Sequence, residues 1–109
     1  MTDTDRDRAV HELIRRIAKR FHPEMIILFG SHARGEATSD SDLDLLVIME
    51  VPGSCRQKAN EIDLALADRT IPMDLIVLTP RQFERQKHVV GTIAHEAFRK
   101  GRILYDRAA

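Results

Sequence analysis

Two acidic residues, Asp42 and Asp44, are separated by one residue at the start of an apolar run, residues 43–49, and a third, Asp74, lies in a second run, residues 72–78. Positions i and i+2 of a strand project to the same face, so Asp42 and Asp44 are predicted to lie side by side. Carboxylates this close repel each other unless a cation neutralises them. Oxygen ligands of this kind suit Mg²⁺, which commonly takes one or two carboxylates together with substrate phosphates.

A short polar stretch upstream of this pair has the features of a phosphate-binding loop. Gly30 and Ser31 follow an apolar strand candidate, residues 25–29. Glycine lets the backbone approach a ligand closely, and Ser31 can open a short helix whose free N–H groups attract phosphate. The stretch is not a Walker-type loop, because Glu36 stands where that motif requires lysine. A phosphate cradle one loop away from a carboxylate pair predicts a metal–nucleotide site.

These parts follow one another in the order of a known signature: Gly30-Ser31 with the extension Ala33-Arg34-Gly35, then Asp42-Leu43-Asp44, then Asp74. The combination resembles the signature of the DNA-polymerase-beta-like nucleotidyltransferases, and specifically of their minimal members. The resemblance covers about residues 24–78. It implies a mixed sheet with the carboxylates gathered at one end.

The resemblance also implies a reaction, the transfer of AMP from ATP to a hydroxyl with release of pyrophosphate. Two Mg²⁺ ions about 3.5–4 Å apart can stabilise the entering and leaving oxygens of such a displacement. Asp42 and Asp44 are expected to share both ions, and Asp74 to hold the ion at the attacking hydroxyl and to help remove its proton.

The resemblance assigns the phosphate contacts to the upstream stretch. Gly30 and Ser31 are expected to hold the terminal phosphates through backbone N–H groups and the serine hydroxyl. Arg34 either adds positive charge at the triphosphate or braces the loop. The role of His32, which lies inside the motif, stays open.

The acceptor of the AMP group is the least determined part. In many minimal members the resemblance implies an antitoxin that AMPylates a helical HEPN-type toxin, which is the leading expectation. One alternative is a small-molecule alcohol such as an aminoglycoside, bound in a pocket that a homo-oligomer would share. The other is a non-catalytic antitoxin that acts by occlusion.

Composition limits the other classes of function. The 109 residues are expected to form one domain, residues 1–109. Lys+Arg and Asp+Glu balance at 17 each, which argues against general nucleic-acid binding. The single cysteine, Cys55, fits a reducing compartment, and the sequence has no membrane-spanning or signal-peptide pattern. We therefore expect a cytoplasmic protein.

Hydrophobic periodicity and turn residues predict an α/β domain with a sheet of about four strands and flanking helices. Asp40 is expected to belong to a turn in residues 38–41 rather than to the site. The predicted helices are residues 4–21, 54–68, a short one that begins at Thr79-Pro80, and 89–100, and the predicted strands are residues 24–29, 43–49, 73–78 and 103–105.

Overall fold

The computed structural model describes residues 2–38 and 41–109, so the prediction for Asp40 lies outside the described residues. Helices and strands alternate along the chain, which confirms the predicted α/β class. The elements are α1 (Asp3–Phe21), β1 (Met25–Phe29), α2 (Gly30–Arg34), β2 (Leu43–Ile48), α3 (Cys55–Ala65), β3 (Met73–Leu78), α4 (Pro80–Gln86), α5 (Ile93–Lys100) and β4 (Arg102–Asp106).

The four strands form one mixed sheet, as expected, and their order is β3-β2-β1-β4. β1 pairs antiparallel with both β2 and β4, whereas β2 and β3 run parallel. The C-terminal end of β1 therefore lies at the same end of the sheet as the N-terminal ends of β2 and β3. In register terms Phe29 lies opposite Asp44, and Asp44 lies opposite Asp74.

Both faces of the sheet are covered. On one face α1 and α3 pack through Ile17 and Ile62, which are fully buried. On the other face α4 and α5 pack against Leu46 and Ile48. The central strand β2 is thus buried on both faces, which explains why its apolar run is continuous.

Capping residues set most of the helix boundaries. The side chains of Thr2, Ser54, Thr79 and Thr92 each accept a backbone N–H of the first turn of α1, α3, α4 and α5 respectively. As predicted, α4 begins with the cap-and-proline pair and α5 ends at Lys100, with Gly101 as its C-cap.

Two predicted helix boundaries were wrong. The last helix begins at Ile93 instead of residue 89, because Gly91 adopts a left-handed φ of 94° and Thr92 then caps a new helix. The third helix ends at Ala65 instead of residue 68. There the N–H of Leu66 is shared among several preceding carbonyls, and a turn follows.

Within the two described stretches, none of the helices combines the length and the apolar character that crossing a membrane requires.

Candidate active site

The three carboxylates predicted from the sequence lie at one end of the sheet, where β2 and β3 begin. Asp44 and Asp74 are direct partners across β2 and β3, and Asp42 immediately precedes β2. Asp42 and Asp74 are exposed, whereas Asp44 is half-buried. Asp44 shares its side of β2 with Leu46 and Ile48, so it faces the layer of α4 and α5.

The charges at this end of the sheet act on Asp44. Partial burial raises the pKa of the Asp44 carboxyl, and the negative charges of Asp74, Asp42 and Glu96 raise it further, in that order. His32 acts in the opposite direction and lowers this pKa. Burial and like charges together disfavour the ionised form of Asp44.

Gly30 forms the floor beneath Asp44. It joins β1 to α2 with φ of 76°, in the left-handed region that favours glycine. A Cβ added there would stand 3.0 Å from Cγ and 3.3 Å from Cβ of Asp44, and closer still to its Oδ2. Glycine is therefore required both by the backbone conformation and by the space that the Asp44 carboxylate occupies.

The short helix α2 lines the site beside Gly30. It was predicted to open at Ser31, but its N-cap is Phe29, whose side chain makes no capping hydrogen bond. At its other end Gly35 closes the helix with φ of 74°. His32 Nε2 lies 3.1 Å from the carbonyl oxygen of Ser41, so this ring ties α2 to the chain that leads into Asp42.

Glu96 of α5 also lies at the site, although the sequence motifs do not include it. Its Oε2 accepts a hydrogen bond of 3.1 Å from the backbone N–H of Gly30 and lies 3.4 Å from Nη1 of Arg34. Arg34 also pairs with Glu36 at 3.4 Å, so it bridges two carboxylates. No local pattern marks Glu96, because its contacts lie more than sixty positions away in the chain.

Most of the chain matches the model of one protein family. Residues 10–104 match the family model described as nucleotidyltransferase domain. The chain belongs to the nucleotidyltransferase domain family. A relative in Methanocaldococcus jannaschii, named as a candidate protein adenylyltransferase, is 36% identical over 47 residues, which are 41% of this chain. That match spans only 47% of the relative's length.

Solved structures share the nucleotidyltransferase fold of this chain. A candidate nucleotidyltransferase from Sulfolobus solfataricus superposes with a TM-score of 0.65 at 19% identity, over 93% of this chain and 80% of that one. A toxin–antitoxin complex with AMP-PNP gives 0.50 at 18% identity, and a mutant MntA-HpeT toxin–antitoxin complex gives 0.54 at 17%. Each of these two covers 88% of this chain and 73% of the other.

The donor chemistry of this nucleotidyltransferase domain suits a hard cation. A bound positive charge would favour the ionised form of Asp44, whose pKa is raised by partial burial and by three neighbouring carboxylates. Among residues 2–38 and 41–109, no three His, Cys, Asp or Glu side chains are arranged to hold a metal ion as they stand. Because Asp42 and Asp74 are exposed, their side chains can rotate toward Asp44 at little cost.

At the carboxylate end of the sheet, Asp42 and Asp74 are exposed to solvent. A cavity of about 690 Å³ lies between α1 and β4, on the side of the sheet opposite Asp44. His32 lines this cavity, whereas Asp42, Asp44 and Asp74 do not. A substrate can therefore reach Asp42 and Asp74 directly from solvent without passing through this cavity.

Proposed function

We propose that this chain moves AMP from ATP to a hydroxyl of a protein, using Mg²⁺ held by Asp42, Asp44 and Asp74. The observation that carries the proposal is the register of the sheet, which sets Asp44 opposite Asp74 with Asp42 two residues before Asp44. Carboxylates at and just before the start of two adjoining strands can together hold cations that contact phosphate oxygens.

In the proposed step the acceptor hydroxyl oxygen bonds to the α-phosphorus of ATP. The bond from that phosphorus to the oxygen bridging to the β-phosphate breaks, and pyrophosphate leaves. Mg²⁺ bound by the carboxylates would supply positive charge to both the entering and the leaving oxygens. Asp74, exposed at the start of β3, takes the proton of the acceptor hydroxyl.

The proposed phosphate contacts come from the stretch between β1 and β2. The Gly30 N–H is donated to Glu96, and the Asp44 carboxylate lies where a Gly30 side chain would be. The direct phosphate contacts that we propose therefore come from Ser31 and Arg34. Ser31 offers its hydroxyl and its N–H group. Arg34, whose two ion pairs are both long at 3.4 Å, can turn its guanidinium toward the triphosphate at little cost.

A protein acceptor is favoured by the openness of the site and by the relatives. Asp42 and Asp74 are exposed, so a flexible segment of another polypeptide can reach them. One relative is named as a candidate protein adenylyltransferase, and two of the similar structures are toxin–antitoxin complexes, one of them with AMP-PNP. We infer that this chain is the antitoxin of such a pair and that its acceptor is a hydroxyl of a HEPN-type toxin.

The test is to incubate the purified protein with Mg²⁺ and ATP labelled at the α-phosphate, with and without host lysate. A parallel reaction uses ATP labelled at the γ-phosphate. Label on a protein from the α-phosphate alone is the expected result, and mass spectrometry then identifies the acceptor. Label from the γ-phosphate alone would mean phosphoryl transfer and would refute the mechanism.

A pair of variants tests the carboxylate site. Asp74→Asn is expected to lower the labelling rate by at least about 100-fold, the scale of a lost proton acceptor. The control is Glu50→Gln, an exposed carboxylate beyond the other end of β2, which should label at the wild-type rate. Label in a small molecule would favour the alcohol alternative. Neutralisation of the toxin with all three aspartates replaced would favour occlusion.

A further inference from the structure

Glu96 approaches the phosphate loop from a separate helix. Its carboxylate accepts the Gly30 N–H at 3.1 Å and pairs with Arg34 at 3.4 Å. The side chain is 41% exposed, so water could have solvated it elsewhere and burial does not force the contact. A hydrogen bond from a backbone N–H to a charged carboxylate is among the stronger ones.

This placement has an electrostatic cost. The Glu96 charge adds to those of Asp74 and Asp42 in opposing the ionisation of Asp44. A fourth carboxylate near three others destabilises the site unless its own contacts offset the repulsion. The contacts with the Gly30 N–H and the Arg34 guanidinium supply that compensation.

No side-chain cap from its own N-cap residue fixes the start of α2. The side chain of the N-cap residue Phe29 cannot accept a hydrogen bond. The next residue, Gly30, is a glycine, the residue type with the greatest backbone freedom. Glu96 supplies the missing acceptor from α5. Because the Gly30 backbone also forms the floor under Asp44, fixing Gly30 fixes the surface against which that carboxylate lies.

We propose that Glu96 is a positioning residue that holds the Gly30 backbone, and with it Asp44, in the geometry needed for nucleotidyl transfer. This inference rests on the proposed function. The bond with Gly30 persists while ATP binds, and the longer contact with Arg34 is exchanged for phosphate. Glu96 thus acts through Gly30, Arg34 and Asp44 and does not itself contact the reacting atoms.

The test compares Glu96→Ala with Glu96→Gln. Glutamine keeps an oxygen that can accept the Gly30 N–H, whereas alanine removes it. Initial labelling rates are measured with α-labelled ATP, Mg²⁺ and host lysate, at saturating and at low ATP. Glu96→Ala is expected to lose about 10- to 100-fold in the rate at saturating ATP, the scale of a small misplacement of reacting groups. Glu96→Gln should stay within about threefold of wild type.

The control variant is Glu84→Ala on α4, an exposed glutamate that pairs with Lys87 at 2.8 Å. It removes a carboxylate and an ion pair without touching Gly30, so its rate should match wild type. A purely structural role for Glu96 would lower the melting temperature of Glu96→Ala but leave its rate unchanged well below that temperature. That result would overturn the proposal, as would a Glu96→Gln variant as slow as Glu96→Ala.

Amide hydrogen exchange at Gly30 separates this inference from the proposed function. The Gly30 N–H should be protected in wild type and in Glu96→Gln, and should exchange faster in Glu96→Ala. If wild type transfers no label, the proposed function fails and the positioning role fails with it. If wild type transfers label but Gly30 is unprotected or Glu96→Ala is fully active, only the inference about Glu96 fails.

Discussion

Replacing Gly30 by alanine should damage activity far more than stability. The new Cβ would be held by a backbone at φ of 76° and would stand 3.0 Å from Cγ of Asp44. The strand that carries Asp44 is central and buried on both faces, so its backbone cannot retreat easily. The carboxylate must therefore rotate away from the end of the sheet that it shares with Asp74.

The substitution should lower both the folding stability and the rate of nucleotidyl transfer. An alanine in the left-handed region costs about 1–2 kcal/mol in folding free energy. For a domain of this size that corresponds to a fall in melting temperature of roughly 4–10 °C. Displacement of the Asp44 carboxylate by about 1 Å adds a loss of activity on the order of 100-fold.

Alanine substitutions at two other glycines separate the loss of stability from the loss of activity. Gly35 and Gly91 have φ of 74° and 94°, and a Cβ added at either meets no atom within 4 Å. Alanine at either position should lower the melting temperature by a similar amount, as measured by calorimetry. Labelling with α-labelled ATP below the melting temperature should stay near wild type in Gly91→Ala. If Gly30→Ala labels as fast as Gly91→Ala, the contact between Gly30 and Asp44 has no role in activity.

Three further changes test the electrostatics and the core. The pKa of Asp44 is raised in the folded state, so folding favours the protonated carboxyl. This contribution to stability is complete below about pH 3.8 and is lost as pH rises through the raised pKa. Asp44→Asn should therefore melt higher than wild type at neutral pH without divalent cations, and a gap that does not shrink toward pH 3 would contradict this. A hydrogen bond from Arg16 holds the pKa of Asp68 below its ordinary value, so Arg16→Ala should raise it in an NMR titration; an unchanged midpoint would show that the pair is absent in solution. Ile17→Ala should cost about 2–5 kcal/mol by denaturant unfolding, since Ile17 is fully buried between α1 and the sheet; a loss under 1 kcal/mol would mean that α1 packs loosely.

Local sequence predicted most of the elements because local forces form them. Thr79 followed by Pro80 marks a helix start through its own hydrogen bonds, and the structure has a capping box there. The prediction failed at residues 89–92, where apolar periodicity suggested continuous helix. Gly91 and Thr92 carry an equally local signal, a left-handed turn and a cap, and this signal outweighed the periodicity.

The sequence by itself determined the family signature and the α/β class, and the period of a strand predicts that Asp42 and Asp44 project to one face. Only the tertiary structure decided that Asp74 lies opposite Asp44, because strand order and register depend on how the helices cover both faces of the sheet. It alone also brought Glu96 to Gly30, across 66 positions of chain. A hydrogen bond between residues so distant depends on the packing of α5 against β1 and α2, and no short-range pattern encodes that packing.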